Sequence, residues 1–204
     1  MEKYVITVSR RFGSMGHEIA RQLSKRLGIP MYDRTDIEAA VRRENLDVKL
    51  EAEYMRSGSA VQENGMRERL RRKKETRQIL PDEEQIRFQA QSAVVRQLAD
   101  EQSCLILGRC ADQILKDRPR CMNVFLYAPD EVRLENCMKL LHTDREAARS
   151  LIAREDQTRD AYRRRFVTDG QDVTEGRHIL LDTSFLGVQE SAALLEHAVH
   201  SLFD

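Results

Sequence analysis

The chain has 204 residues, with 34 lysines and arginines set against 34 aspartates and glutamates, and four cysteines. That length suits one α/β domain carrying an insertion or lid, and two full domains would be cramped in it. Balanced charge gives no reason to expect a dedicated nucleic-acid or membrane-surface protein. The cysteines show no CxxC pair and no zinc-finger spacing, so neither a disulfide framework nor a structural metal is indicated.

Residues 3–8, KYVITV, are β-branched and apolar and stop at a polar, glycine-bearing turn, the pattern of a buried parallel strand followed by a loop. Ile19, Leu23 and Leu27 then recur at helical spacing, and Gly28 with Pro30 ends the helix. A short strand is expected near PMYD, residues 30–33. Residues 35–100 are long, highly charged and helical in period, with breaks expected at SGS (57–59), Gly65 and Pro81. Within them lies the basic run MRERLRRKKETRQ at 66–78, which reads first as a solvated helix face and second as a grip on RNA or phosphates.

The strand-loop-helix grammar returns at CLILGR (104–109), MNVFLYAP (122–129) and HILLDTS (178–184), and an amphipathic helix closes the chain. Five parallel strands alternating with helices make an α/β fold, whose loops after the strands would share the ligand-binding edge. Met1 leads directly into the first strand without a charged leader, and no run approaches the roughly 18 apolar residues of a membrane span. A soluble, unprocessed chain in a reducing cytoplasm is expected, without membrane partners.

The loop after the first strand carries the chemistry. A turn of small residues before a helix can point its backbone N–H groups at an anion, and the helix adds its positive N-terminal end. Aligned on Gly16, the G-x-x-x-x-G-K-[ST] phosphate-loop pattern meets Arg11, His17 and Glu18 in place of its first glycine, lysine and hydroxyl. Arg10 and Arg11 can supply the missing positive charge. Glu18 reads either as a carboxylate favouring the helix dipole or as one facing a phosphate through magnesium.

These residues resemble a known family. The stretch ITVSRRFGSMGHEIARQLSKRLGIPMYDR is similar to the opening of the cytidylate kinase-like family, a branch of the P-loop nucleoside monophosphate kinases. CLILGRCADQIL, NVFLYAPDEVR, REDQTRDAYRRRF and LLDTSFLG follow in the family's order, so the resemblance runs from residue 4 to the C-terminal helix. The family's loop has the form SRxFGSGG without the standard lysine, and this chain departs further with Met15 at a glycine and His17 where arginine is common.

The resemblance implies a three-layer P-loop kinase fold in a single domain, 1–204, with residues 35–100 as a helical acceptor-binding insertion and 143–176 as a lid. It implies ATP with magnesium on a phosphate-binding set of Arg10, Arg11, Gly13, Ser14, Met15, Gly16, His17 and Glu18. The acceptor, CMP or a relative, would meet Asp33, Arg34, Arg109, Asp112, Asp156 and Asp160, with Arg159, Arg163 and His17 serving transfer. Asp156, Arg159, Asp160 and Arg163 share a helix face, where they can turn to a ligand or pair with one another. The alternative is a nucleotide-binding or regulatory protein that keeps the kinase fold and has lost transfer. An RNA- or protein-interaction module built on 66–78 is a third reading, disfavoured by the neutral charge, and a homo-oligomer is left open. Cys110 reads as a small buried residue rather than a nucleophile.

Overall fold

The computed structural model describes residues 2–63, 82–167, 172 and 174–204. The basic run at 66–78 therefore lies outside the described residues, as do Gly65, Pro81 and part of the glycine-containing stretch 167–176.

Five strands form one sheet: β1 (Val5–Arg10), β2 (Met31–Tyr32), β3 (Cys104–Leu107), β4 (Cys121–Tyr127) and β5 (Ile179–Asp182). Their order is β2-β3-β1-β4-β5 and every pairing is parallel. The strand-loop-helix reading of the sequence thus gives the observed sheet, with boundaries moved by a few residues. β3 stops at Leu107 because Gly108, Arg109 and Cys110 all take positive φ and turn the chain away from the sheet.

Eight helices accompany the strands in the described residues: α1 (Gly16–Leu27), α2 (Arg34–Glu44), α3 (Leu46–Glu63), α4 (Glu83–Glu101), α5 (Ala111–Ile114), α6 (Asp130–Leu141), α7 (Arg145–Phe166) and α8 (Thr183–Phe203). The break expected at 57–59 does not occur, since α3 runs through it: the glycine costs a helix only about 1 kcal/mol. Gly28 ends α1 in the left-handed conformation. Asp33 begins α2 with a reciprocal capping box to Asp36, and Asp82 and Asp144 cap α4 and α7.

Alternation along β1 sends successive side chains to opposite faces. Ile6 and Val8 join Leu105, Leu107, Val124 and Leu126 under α1 and α8, where Ile19, Leu23 and Leu195 are fully buried. On the other face Val5, Cys104 and Ile106 pack against Ile37 of α2 and Val94 and Val95 of α4. Each such aliphatic side chain contributes about 1.5–3 kcal/mol by leaving water. A smaller core of Leu134, Cys137, Ala148 and Ile152 joins α6 to α7, and Phe12 packs onto it. Through that contact the loop after β1 is seated on the α6–α7 pair as well as on the sheet.

Among the described residues no helix is long and apolar enough to cross a membrane.

Candidate active site

The register of β1 creates the site. Val5 to Val8 pair with β3, whereas Val5 to Arg10 pair with β4, so the last two residues of β1 outrun β3. A crevice opens there, at the point where the strand order reverses. The Arg10 side chain lies in it over Gly108, where a methyl group would come within 2.6 Å of Arg10 Nη1 and the backbone has φ +83°. The positive φ favours glycine at 108, and any larger residue would push the Arg10 guanidinium aside.

The Arg10 side chain has no hydrogen-bonding or ion-pair partner among the described residues. Burial, then the nearby Arg159 and Arg109 against a smaller opposing pull from Asp33, lowers its pKa to about 10. A half-buried guanidinium beside two others is a site prepared for an anion.

From Arg11 to Met15 the loop is fixed by its carbonyls. Arg159 donates to Arg10 O at 3.1 Å, Arg133 to Phe12 O at 3.2 Å, and Asn136 to Gly13 O at 2.9 Å. Thr183 donates to Ser14 O at 2.8 Å and to Tyr127 O at 3.1 Å. Two loop amides are also used, Arg11 N on Leu126 O and Phe12 N on Asp156 Oδ1. The amides from Gly13 to Glu18 find no acceptor among the described residues, as the open first turn of a helix dictates. Carbonyls turned away and amides left free are the arrangement that a phosphate requires.

Each sequence-derived candidate has a definite place. Gly13 sits at φ +78°, and a Cβ there would lie 2.8 Å from Arg133 O. Ser14 is fully buried and donates its hydroxyl to Arg11 O at 2.9 Å, closing the turn from inside. Met15 takes φ 58° as the residue before α1, and its side chain packs against the core under the sheet. Gly16 lies against Arg10, 2.8 Å separating its notional Cβ from Arg10 Cβ. His17 is exposed, with Nε2 3.8 Å from Asp33 Oδ2. Glu18 turns along α1 to Arg21 and Gln22, whose hydrogen bonds hold its carboxyl below the ordinary range.

The candidates from later in the chain divide into two groups. Around the crevice, Arg109 pairs with Glu38 and lies 5.0 Å over the Tyr162 ring. Arg34 meets the same Glu38 at 2.7 Å. Burial opposes ionisation of Glu38, but the Arg34 hydrogen bond and the surrounding arginines together hold its pKa below the usual value. Asp33 caps α2.

The second group comes from α7 and is directed to the loop and floor. Asp156 binds Phe12 N at 2.8 Å and pairs with Arg133, Asp160 takes Arg11 at 2.9 Å, and Arg159 stacks over Phe12 at 5.3 Å. Burial lowers the Arg159 pKa, and Arg11 and Arg133 add to this against the pull of Asp156 and Glu155. Asp112, 2 % exposed, lies between Arg163, 2.8 Å away, and Arg177. Cys110 is buried, which lifts its thiol to about 11 and keeps it inert.

Sequence reasoning missed Glu38, Gln91, Arg133, Asn136, Arg177 and Thr183. Arg133 and Thr183 stood inside recognised segments, NVFLYAPDEVR and LLDTSFLG, and the others lie at unremarkable positions on helices or beside a strand, where spacing alone gives no signal. The crevice is half open, has a volume of about 820 Å³ and is lined by Arg10, Arg11, Arg109, Arg159, Tyr162, Arg177 and neighbouring residues. Among the described residues no group of three histidines, cysteines or acids is placed to hold a metal ion.

A parallel sheet in the order 2-3-1-4-5, with an anion-ready loop after its central strand, defines a P-loop kinase fold. The chain belongs to the cytidylate kinase-like family, whose model matches residues 5–185. Among solved structures, an uncharacterized protein from Eubacterium ventriosum is 17 % identical with a TM-score of 0.72, the match covering 98 % of this chain and 99 % of that one. A Thermus thermophilus protein is 16 % identical over 100 % of both chains, TM-score 0.54. A gluconokinase from Sinorhizobium meliloti is 16 % identical over 98 % of this chain and 95 % of its own, TM-score 0.51. At these identities the likeness is one of fold. No curated protein sequence matches the chain.

Proposed function

We propose that the protein is a nucleoside monophosphate kinase-like phosphotransferase that moves the γ-phosphoryl group of ATP to CMP or a related acceptor. The observation that carries this reading is Arg10, a desolvated cation without a protein partner between the free loop amides and the arginine-lined crevice. ATP would lie with its phosphates on the amides of Gly13 to Glu18, and the acceptor phosphate would approach Arg10 and Arg109 from the crevice. Transfer in line between them needs alignment and neutralisation of charge, not a covalent intermediate. Arg159 and Arg163 supply cations from α7, which forms one wall of the crevice. Magnesium would arrive with the triphosphate, held largely by phosphate oxygens and water.

Residues 35–100 as acceptor-binding insertion and 143–176 as lid belong to the same proposal, as does a cytoplasmic setting supplied with ATP. In it Asp112, Asp156 and Asp160 serve the acceptor indirectly, by holding the arginines and the loop.

A second reading is favoured by one observation. His17 and Glu18, at the lysine and hydroxyl positions, point to Asp33 and Arg21 and replace neither function. A protein that binds nucleotide without transferring phosphate would look the same. Calorimetry with ATP and a panel of nucleoside monophosphates, run beside coupled ADP release on one sample, separates the two. ADP production that depends on CMP or a relative is the expected result; tight binding without ADP selects the second reading, and no binding discards both.

A further inference from the structure

One wall of the crevice is built differently from its cationic floor. Phe88 of α4 stacks on Phe166 of α7 with centroids 4.3 Å apart, and Tyr162 meets both edge-on at 6.2 and 4.9 Å. Beside them Gln91, only 2 % exposed, accepts a hydrogen bond on Oε1 from the Tyr162 hydroxyl at 2.9 Å. Its Nε2 has no acceptor among the described residues. Nor is that atom among those sealed from solvent without a partner, a group that includes Arg109 Nε and Asp112 Oδ1. Gln91 lines the crevice, so its amide N–H groups are presented there.

A glutamine this deeply buried, with its oxygen fixed by a tyrosine and its nitrogen left open to a cavity, asks for a ligand that brings an acceptor. The aromatic wall gives the shape of that ligand, a flat ring with polar atoms in its plane. Arg109, stacked over Tyr162, continues the same surface toward Arg10 and the loop, so a ring on the wall would carry its phosphate toward the cations.

We propose that Gln91 reads the base of the acceptor, donating from Nε2 to the adjacent O2 and N3 acceptors of a cytosine ring. Tyr162 is the positioning residue that fixes the amide. Uracil presents an N–H at ring position 3, donor against donor, and is disfavoured. This inference rests on the nucleoside monophosphate kinase reading and assigns the selecting residue within it.

The test is calorimetric titration of CMP, UMP and AMP into the wild type and into Gln91→Leu, Gln91→Glu and Tyr162→Phe, with melting temperatures as the check on folding. Gln91→Leu should weaken CMP about tenfold and bring the CMP-to-UMP affinity ratio near one, the loss of one discriminating hydrogen bond. Gln91→Glu exchanges donor for acceptor and should tip the ratio toward UMP. Tyr162→Phe, which removes a single oxygen, lets the amide turn over and should lower the ratio severalfold; it keeps the test open if the Gln91 variants fail to fold. An unchanged ratio in the folded variants overturns the role of Gln91 and leaves the kinase reading intact. Failure of the wild type to bind any nucleoside monophosphate overturns both.

Discussion

Arg10 shows how a single side chain can be costly to the fold and useful to the site. Its charge is held from water without a carboxylate, and with a pKa lowered to about 10 the cost is present in full at any pH below that value. The cost fades only as the pH climbs toward the unfolded value and the guanidinium discharges. Asp33 relieves only part of it, and an incoming anion would relieve more. Arg10→Met keeps the aliphatic stem that covers Gly16 and removes the charge. The variant should melt about 2–4 °C higher, the shift expected for roughly 1 kcal/mol in a chain of this size. Its affinity for CMP and ATP should fall at least tenfold in calorimetry. A variant that melts lower and binds as before would mean that Arg10 serves packing alone. The sequence showed Arg10 as a spare cation at a strand end. It did not show that β1 outruns β3, which leaves that cation without a neighbour, because strand register depends on partners 100 residues away.

Among the elements, α7 carries the most information that periodicity could not supply. Its spacing put Asp156, Arg159, Asp160 and Arg163 on one face and left open whether they bind each other or a ligand. The structure adds partners on other elements that neither reading included: Asp160 reaches Arg11, Asp156 reaches Phe12, and Arg163 meets Asp112. Strands and helix ends were legible because they are local, set by β-branched runs, aspartate caps and Gly28. The partners of the charged residues were not, because they lie on other elements. Asp112 is the clearest case. It stood in the sequence as an acceptor-binding candidate, yet its carboxylate is sealed between Arg163 and Arg177, at the foot of α7 and the start of β5. Asp112→Asn halves the acceptor capacity and leaves two buried guanidinium groups facing a neutral amide. Loss of about 3 kcal/mol is expected, a fall of roughly 6–12 °C in melting temperature. Differential scanning calorimetry measures it, and a loss under about 0.5 kcal/mol would show that water already screens the pair.

Across the whole molecule, the loop after β1 is where sheet, α6, α7 and α8 meet. Arg11 N is tied to β4, Gly13 O to Asn136 of α6, Phe12 N to Asp156 of α7, and Ser14 O to Thr183 of α8. Four elements from the second half of the chain therefore hold one short turn near its start, and they do so through its carbonyls and first amides, leaving the later amides free. The loop carries no lysine, and Asp156 links two of its supports. It accepts from Phe12 N and pairs with Arg133, itself 9 % exposed and bound to Phe12 O. Asp156→Ala leaves Arg133 with Asp130 as its remaining carboxylate and strands the Phe12 amide, so the turn should loosen before the sheet does. Hydrogen exchange at the bonded amides of the turn, Arg11 and Phe12, is expected to accelerate at least tenfold while β3 and β4 keep their protection, and ATP affinity should fall with it. Arg149→Ala, at an exposed position on the same helix, supplies the comparison and should change neither. If the turn keeps wild-type protection without Asp156, its shape comes from Gly13, Ser14 and the α8 threonine instead, and α7 can move away without disturbing the phosphate site. If protection is lost, closing α7 and forming the phosphate site are one event, and binding at the crevice must be coupled to binding at the loop.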